Sequence, residues 1–258
     1  MRWQAVNVKL LRRLRRGESV NPASLSNATE DRQLVITVDG PAAAGKSTVA
    51  RALARRLGFR YLDTGAFYRA VTWKALESGL DMADARQMTA AAQQARVELK
   101  SDGQAVRVLC DGRDVTREIR TPQVTQNIYH VADEPSVRKV LIERQRQFSH
   151  RHDLVAEGRD QGTEVFPDAE VKFYLDASVA ERARRRLRDL VESGKDVSLE
   201  EVTREIEERD ARDRSRPMGA LRKAAGAVVL DSTDLTAQDV VELMLREIER
   251  RGVLPSRS

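Results

Sequence analysis

Leu34-Val35-Ile36-Thr37-Val38-Asp39-Gly40-Pro41-Ala42-Ala43-Ala44-Gly45-Lys46-Ser47-Thr48 decides the fold. Its first five residues are apolar or β-branched and run into Asp39-Gly40, which reads as a short buried strand. Beyond it Val49, Leu53 and Leu57 recur at helical spacing until Gly58 stops the pattern. Between strand and helix, Gly40 to Ser47 fits G-x-x-x-x-G-K-[ST] in the strand-to-helix context this motif requires. Glycines let such a loop wrap so that successive N–H groups point inward. The following helix aims its positive end at the same point. Lys46 places a charge on β- and γ-phosphates, and the Ser47 hydroxyl suits Mg²⁺. Gly40, Pro41, Ala42, Ala43, Ala44, Gly45, Lys46, Ser47 and Thr48 are therefore the expected seat of a nucleoside triphosphate. The bland alternative, a glycine-rich turn that matches by chance, fits the flanking strand and helix poorly.

Working outward, four more apolar runs read as strands: Phe59 to Leu62, Leu154 to Ala156, Val171 to Leu175 and Ala227 to Leu230. Helical stretches are expected at about 65–78, 122–150, 178–193, 198–214 and 236–251. Strands alternating with helices predict an α/β fold on a five-stranded parallel sheet. Residues 97–119 differ: VELK, Asp102-Gly103, AVRVLC and Asp111-Gly112 predict a small antiparallel insert.

Composition fits that reading. The chain has 258 residues, 41% hydrophobic and 33% charged, as in a water-exposed globular protein. It has no apolar run near the ~20 residues of a membrane span. Its one cysteine, Cys110, excludes an internal disulfide framework and a Cys-rich zinc site. A lone cysteine suits a reducing compartment, and a cytoplasmic location is expected. The net charge is +5, but Arg2, Lys9, Arg12, Arg13, Arg15 and Arg16 put six positive charges in the first 16 residues, which leaves −1 for the rest. Trp3, Val6, Leu10 and Leu14 repeat at helical spacing there, and residues 17–33 read as a polar linker. Residues 1–33 are thus a basic extension: a loose tail, a membrane-surface contact or a nucleic-acid contact. No obligate membrane or nucleic-acid partner is expected for the rest.

Two further segments supply acceptor-side chemistry. Asp63-Thr64-Gly65-Ala66-Phe67-Tyr68-Arg69 follows the second strand and so falls at the carboxyl edge of a parallel sheet, beside the loop of 40–48. Thr64 and Tyr68 offer hydroxyls, and Arg69 a guanidinium suited to a phosphate monoester. Glu157-Gly158-Arg159-Asp160 ends another strand; its first carboxylate can hold an Mg²⁺ shell, or the segment is an ordinary strand-end ion pair. Arg209, Asp213 and Arg216 share one helical face within ERDARDRSR, where arginines outnumber nearby acids. That favours an anionic ligand over a solvated charged helix. Arg182, Arg184, Arg185, Arg186 and Arg188 form a second basic stretch with the same two readings. The guanine-specific N-K-x-D segment is absent, which argues against a GTPase.

The segments VDGPAAAGKSTVA, YLDTGAFYRA, DVTREIRTPQV, EGRDQGTEVFPDA, VKFYLDAS, ERDARDRSR and VVLDST, in this order, resemble the bacterial cytidylate kinases, from about Leu34 to Ile248. The resemblance implies a three-layer P-loop nucleotide kinase fold with a helical lid at about 182–216 and an insert, about 97–119, in the CMP-binding part of a domain over 34–258. It implies a monomer that phosphorylates CMP and dCMP with MgATP. It implies that Thr64, Tyr68, Arg69 and Arg159 surround the CMP phosphate, joined by Arg216 on lid closure. Arg138 and Asp160 would read the cytosine, and Arg209 and Asp213 would hold the sugar. Lys46, Arg69, Arg159 and Arg216 would be the catalytic cations, Ser47 and, indirectly, Glu157 the metal-side groups, and Ser232-Thr233 would lie near adenine. Two positions depart from the family pattern. Tyr129 stands where a serine near the cytosine is common, keeping a hydroxyl but adding bulk, which leaves base selectivity open. Glu157 stands where aspartate is usual, one methylene longer.

Overall fold

The structure is a computed structural model that describes residues 33–101, 106–150, 152–192 and 194–253. The amphipathic helix expected in residues 1–16, nearly all of the linker and the Asp102-Gly103 turn lie outside these. In chain order, the first half runs β1 (Val35–Asp39), α1 (Lys46–Leu57), β2 (Arg60–Asp63), α2 (Thr64–Glu77) and α3 (Ala85–Gln94). An insert of β3 (Val97–Ser101), β4 (Val106–Cys110) and β5 (Arg113–Asp114) leads to α4 (Pro122–Ala132) and α5 (Pro135–Ser149). Then come β6 (Leu154–Gly158), β7 (Val171–Asp176), α6 (Val179–Glu192), α7 (Leu199–Ser215), β8 (Val228–Asp231) and α8 (Ala237–Arg250).

The main sheet has the order β2-β6-β1-β7-β8, and every pairing in it is parallel. Parallel neighbours need crossovers that cover both faces, so central strands are apolar throughout. All five β1 residues are buried accordingly. Val35, Leu62, Leu154 and Ala156 pack toward α2, α4 and α5, while Ile36, Val38, Val155 and Phe173 pack toward α1 and α8. Each fully buried Val, Leu, Ile or Phe among them contributes roughly 1.5–3 kcal/mol. The insert is a separate antiparallel sheet, β3-β4-β5, whose second turn uses Asp111 at φ 52 and Gly112 at φ 84. The hairpin of α6 and α7 has its own small core of Ala183, Leu190, Val202 and Ile206, against which Ala43 packs. Among the described residues no helix is long and apolar enough to cross a membrane.

Three local expectations are corrected. The single helix expected at 122–150 is two, because Pro135 forces Glu134 to an extended conformation (φ −80, ψ 116). Pro135 then starts α5, where its missing N–H costs nothing. Helix α3 has no counterpart in the sequence reading; its buried face is only Met88, Ala91 and Ala92, too weak an apolar signal to stand out. The segment after β6 closes as a π-helical turn over Gln161–Val165, which periodicity does not reveal.

Candidate active site

The donor side is built mostly from contiguous residues. Gly40 has φ 153, and a Cβ there would lie 1.9 Å from the Leu175 carbonyl oxygen of β7, so only glycine lets the loop leave β1 at this angle. Gly45 precedes α1 without a side-chain cap, which leaves the first-turn N–H groups to an anion. Lys46 is buried, and its Nζ donates to the Pro41 carbonyl at 2.6 Å. Burial, reinforced by the positive charge of Arg159, pulls its pKa down to about 7. Ser47 Oγ donates to Glu157 Oε1 at 2.6 Å, and the Tyr61 hydroxyl donates to the same oxygen at 3.1 Å. Glu157 reaches this point because β6 lies beside β1 and pairs it with Val38. Tyr61 escaped the sequence reading, since a tyrosine within a strand normally signals packing alone.

A cavity of about 460 Å³ adjoins this loop, lined by Gly45, Lys46, Ser47 and Thr48 and, from α6, by Arg185 and Arg188. Ser232 donates toward the Ala44 carbonyl at 3.3 Å and is itself held by Arg185, so the end of β8 sits against the loop. A larger cavity of about 860 Å³ between Phe67, Arg96, Arg144 and Phe148 shares no lining residue with it. Neither acceptor-side arginines nor Lys46 reach that space.

On the acceptor side most of the arginines are aimed by carboxylates: Arg69 and Arg216 by near neighbours in sequence, Arg138 and Arg159 by residues from other elements. Asp63 caps α2 by accepting from the Ala66 N–H at 3.0 Å and holds Arg69 Nη2 at 3.0 and 2.9 Å through its two oxygens. Burial pushes the Asp63 carboxyl up, but Arg69 and Arg120 outweigh it and hold the pKa below the usual range. Thr64 Oγ1 donates to the Glu157 carbonyl at 2.6 Å, which ties α2 to β6. Arg138 lies 5.2 Å over the Tyr68 ring, is paired with Asp160 and donates to the Ala132 carbonyl at 2.9 Å. Burial raises the Asp160 pKa despite that partner. Asp39 accepts from the N–H groups of Gln161 and Gly162 at 2.8 and 2.7 Å, which fixes the turn carrying Arg159 and Asp160. Gly219 closes over Arg138: at its φ of 70 a Cβ would fall 1.9 Å from Arg138 Nη2. Nothing in the local pattern of Pro217-Met218-Gly219 marks this contact in advance.

Helix α7 joins the same crevice. Arg159 Nε donates to Asp213 Oδ2 at 2.7 Å, and Arg216 Nη2 lies 2.6 Å from Asp213 Oδ1 and pairs also with Asp133. Burial disfavours the charged Asp213, yet Arg159 and Arg216 keep its pKa low. Arg209 makes no ion pair among the described residues. Burial and the nearby Arg159 charge lower its pKa to about 10. Arg159 and Arg209 also act on Lys46, and Arg69 acts on Arg209, so donor and acceptor groups open onto one crevice. Nε of Arg69 and Nε of Arg138 are buried donors without a partner.

The solvated-face alternative for 209–216 is corrected, since Asp210 and Asp213 are each 2% exposed and accept arginines from other elements. The second basic stretch divides. Arg182 is buried against Asp210 at 2.7 Å and donates to the Ala42 carbonyl at 3.2 Å, so it fastens the lid to the loop. Arg184 and Arg188 stay exposed beside Glu181.

A glycine-bent loop at the end of β1, a carboxylate at the end of the neighbouring strand and a cluster of arginines from α2, the end of β6 and α7 beside them are the parts of a P-loop phosphotransferase. The cytidylate kinase family model matches residues 36–250. A cytidylate kinase of Rhodopirellula baltica is 46% identical over 213 residues, which cover 83% of this chain and 91% of that one. A cytidylate kinase of Carboxydothermus hydrogenoformans is 47% identical over 84% of this chain and 98% of its own. A bifunctional pantoate ligase/cytidylate kinase of a Synechococcus strain is 45% identical, and there this chain spans 44% of the fused protein. The chain belongs to the cytidylate kinase family, and it is a kinase.

Proposed function

We propose that the protein transfers the γ-phosphoryl group of ATP in line to the 5′-phosphate of CMP or dCMP, giving ADP and CDP or dCDP. The single observation that carries this reading is the positive charge left over in the crevice: a half-buried Arg209, without an ion pair among the described residues, beside Arg159 and near Lys46. A partly desolvated cation without a partner is stabilised by an arriving anion.

The nucleophile is a phosphate oxygen that already carries charge, so no general base is needed. The obstacle is repulsion between two anionic nucleotides, and the protein's task is alignment and neutralisation. The loop of residues 40–48 cradles the triphosphate, and Lys46 exchanges the Pro41 carbonyl for its β- and γ-oxygens. Arg69, Arg159 and Arg216 leave or share their carboxylates to take the acceptor phosphate, with Thr64 and Tyr68 beside them. Arg138 and Asp160 hold the base, and Arg209 and Asp213 the sugar. Lid closure excludes water, so ATP is kept from hydrolysis when no acceptor is bound. The Ser47 hydroxyl and the Glu157 carboxylate, 2.6 Å apart, are hard oxygen donors that fit Mg²⁺ entering with ATP. The ion would be held by Ser47, with Glu157 behind its waters, and would supply charge neutralisation on the β- and γ-phosphates.

In this reading residues 34–258 are the kinase domain, 97–119 its acceptor-side insert and 182–216 its lid, and the enzyme is a cytoplasmic monomer with residues 1–33 as an extension. A coupled ADP-release assay across CMP, dCMP, UMP and AMP tests it. The expected result is turnover with CMP and dCMP at least tenfold more efficient than with UMP or AMP, about what one satisfied or orphaned buried hydrogen bond is worth. Equal turnover of all four, or fast ATP hydrolysis without acceptor, overturns it.

A further inference from the structure

The lid meets the acceptor side through two rungs. Tyr129 and Asp133 are one helical turn apart at the end of α4, linked by the Asp133 N–H donating to the Tyr129 carbonyl at 2.9 Å. Arg212 and Arg216 are one turn apart at the end of α7, so they too lie on one face. Asp133 pairs with Arg216, and the Arg212 guanidinium lies 4.8 Å from the centroid of the Tyr129 ring. His130 stacks on Tyr129 with centroids 4.0 Å apart, which restrains the phenol ring.

The two rungs behave differently once an acceptor arrives. Arg216 is also bonded to Asp213 and must trade carboxylate for phosphate, so the Asp133 rung loosens as the substrate binds. The Tyr129 rung has no such duty. A guanidinium over an aromatic face is held by the ring quadrupole and requires no exchange of partner. We infer that Tyr129 is a positioning residue: its ring, through Arg212, keeps the lid helix in register over the acceptor while Arg216 changes partners. The inference rests on the CMP-kinase reading for its assay, but its contact is present without any nucleotide.

The test is a double-mutant cycle on Tyr129→Ala and Arg212→Ala, read as KM for CMP, kcat and amide exchange of residues 210–216 in the nucleotide-free protein. Each single change should raise KM about two- to fivefold with a smaller effect on kcat, as expected for a half-exposed cation–π contact. Each should speed exchange of the last α7 turn. The double variant should be no worse than either single, because both remove one contact. Tyr129→Phe, which keeps the ring, should match the wild type. Effects that multiply in the double variant, unchanged exchange, or a Tyr129→Phe enzyme as impaired as Tyr129→Ala each overturn the proposal, the last because it transfers the role to the hydroxyl. Should Tyr129→Ala fail to fold, Tyr129→Leu replaces it in the cycle, filling the space without the ring charge distribution. A wild-type enzyme that turns over CMP while the cycle is additive refutes the positioning role alone; a wild-type enzyme inert toward CMP refutes the kinase reading, and the exchange data then still decide the contact.

Discussion

The donor and acceptor halves of the crevice are built by different means. The donor half is mostly one stretch of backbone: Gly40 to Thr48 carries the loop, the lysine and the hydroxyl within nine residues, with Glu157, Tyr61 and side chains of α6 and Ser232 added from elsewhere. The acceptor half is a set of ion pairs, local for Arg69 with Asp63 and Arg216 with Asp213, and between separate segments for Arg138 with Asp160, Arg159 with Asp213 and Arg216 with Asp133. The backbone N–H groups of a cradle are in place once the chain is folded, and only Lys46 and Ser47 have partners to give up there. An arginine held by a carboxylate is aimed in advance but must change partner to bind phosphate. In the proposed function the first design favours rigid donor binding, and the second would couple acceptor binding to movement of α7.

The largest expected effect separates the halves directly. Lys46→Ala and Arg159→Ala should each reduce kcat on the order of 10³-fold or more, with melting midpoints within a few degrees of the wild type. A steady-state assay with a thermal melt checks both; near-normal turnover in Lys46→Ala breaks the donor half of the comparison, and in Arg159→Ala the acceptor half.

Arg182 probes the joint between the two. Both members of the Arg182–Asp210 pair are 2% exposed, and removing one partner leaves a buried charge. Arg182→Ala should cost about 3–5 kcal/mol and lower the melting midpoint on the order of 10 °C. A calorimetric melt unchanged from the wild type shows that Arg182 does not hold α6 to α7 and to the loop.

The smallest effect is a proton. Lys46 has a pKa lowered to about 7 by burial and by Arg159, and bound phosphate raises it again. Below pH 7 it is charged before and after ATP binds, so this group adds no pH dependence. Above pH 7 binding takes up a proton, and ATP affinity should fall with rising pH by at most about tenfold per pH unit. The folded protein itself shows the opposite slope from this group: between pH 7 and the ordinary lysine range near ~10.4 the unfolded chain holds the extra proton, so stability rises with pH there. ATP titrations by calorimetry from pH 6 to 9, in buffers of different ionisation enthalpy, measure the uptake. A flat affinity profile places the Lys46 pKa outside this window and removes the electrostatic link between the halves.

Much of this was legible in the chain. The strand-loop-helix of 34–57 carries its own geometry, because Gly40, Lys46 and Ser47 act through neighbours in sequence. The arginines were visible as Arg159 in EGRD and as an excess of cations in ERDARDRSR; Arg159, Arg209 and Arg216 reach the crevice, while Arg212 and Arg214 stay exposed. Their partners were not visible. Asp63, Asp133 and Asp210 look like ordinary loop or helix acids, and Asp210 in particular reads as neutralising its neighbours when it in fact pairs with Arg182 on another helix. Gly219 and Tyr61 gave no signal, since a close approach to Arg138 or a bond to Glu157 depends on which elements become neighbours. Tyr129 stood out only as a bulky residue; its cation partner lies 83 positions on.

The sequence by itself determined the layers, the phosphate loop and the supply of positive charge, because periodicity, glycine geometry and charge count are local properties. Tertiary structure decided which carboxylate holds which arginine and how the lid is registered on the acceptor side. The reason is the strand order: β6 is placed between β2 and β1 through a crossover of some ninety residues, and contacts across that distance follow from packing of whole elements rather than from the spacing of side chains along the chain.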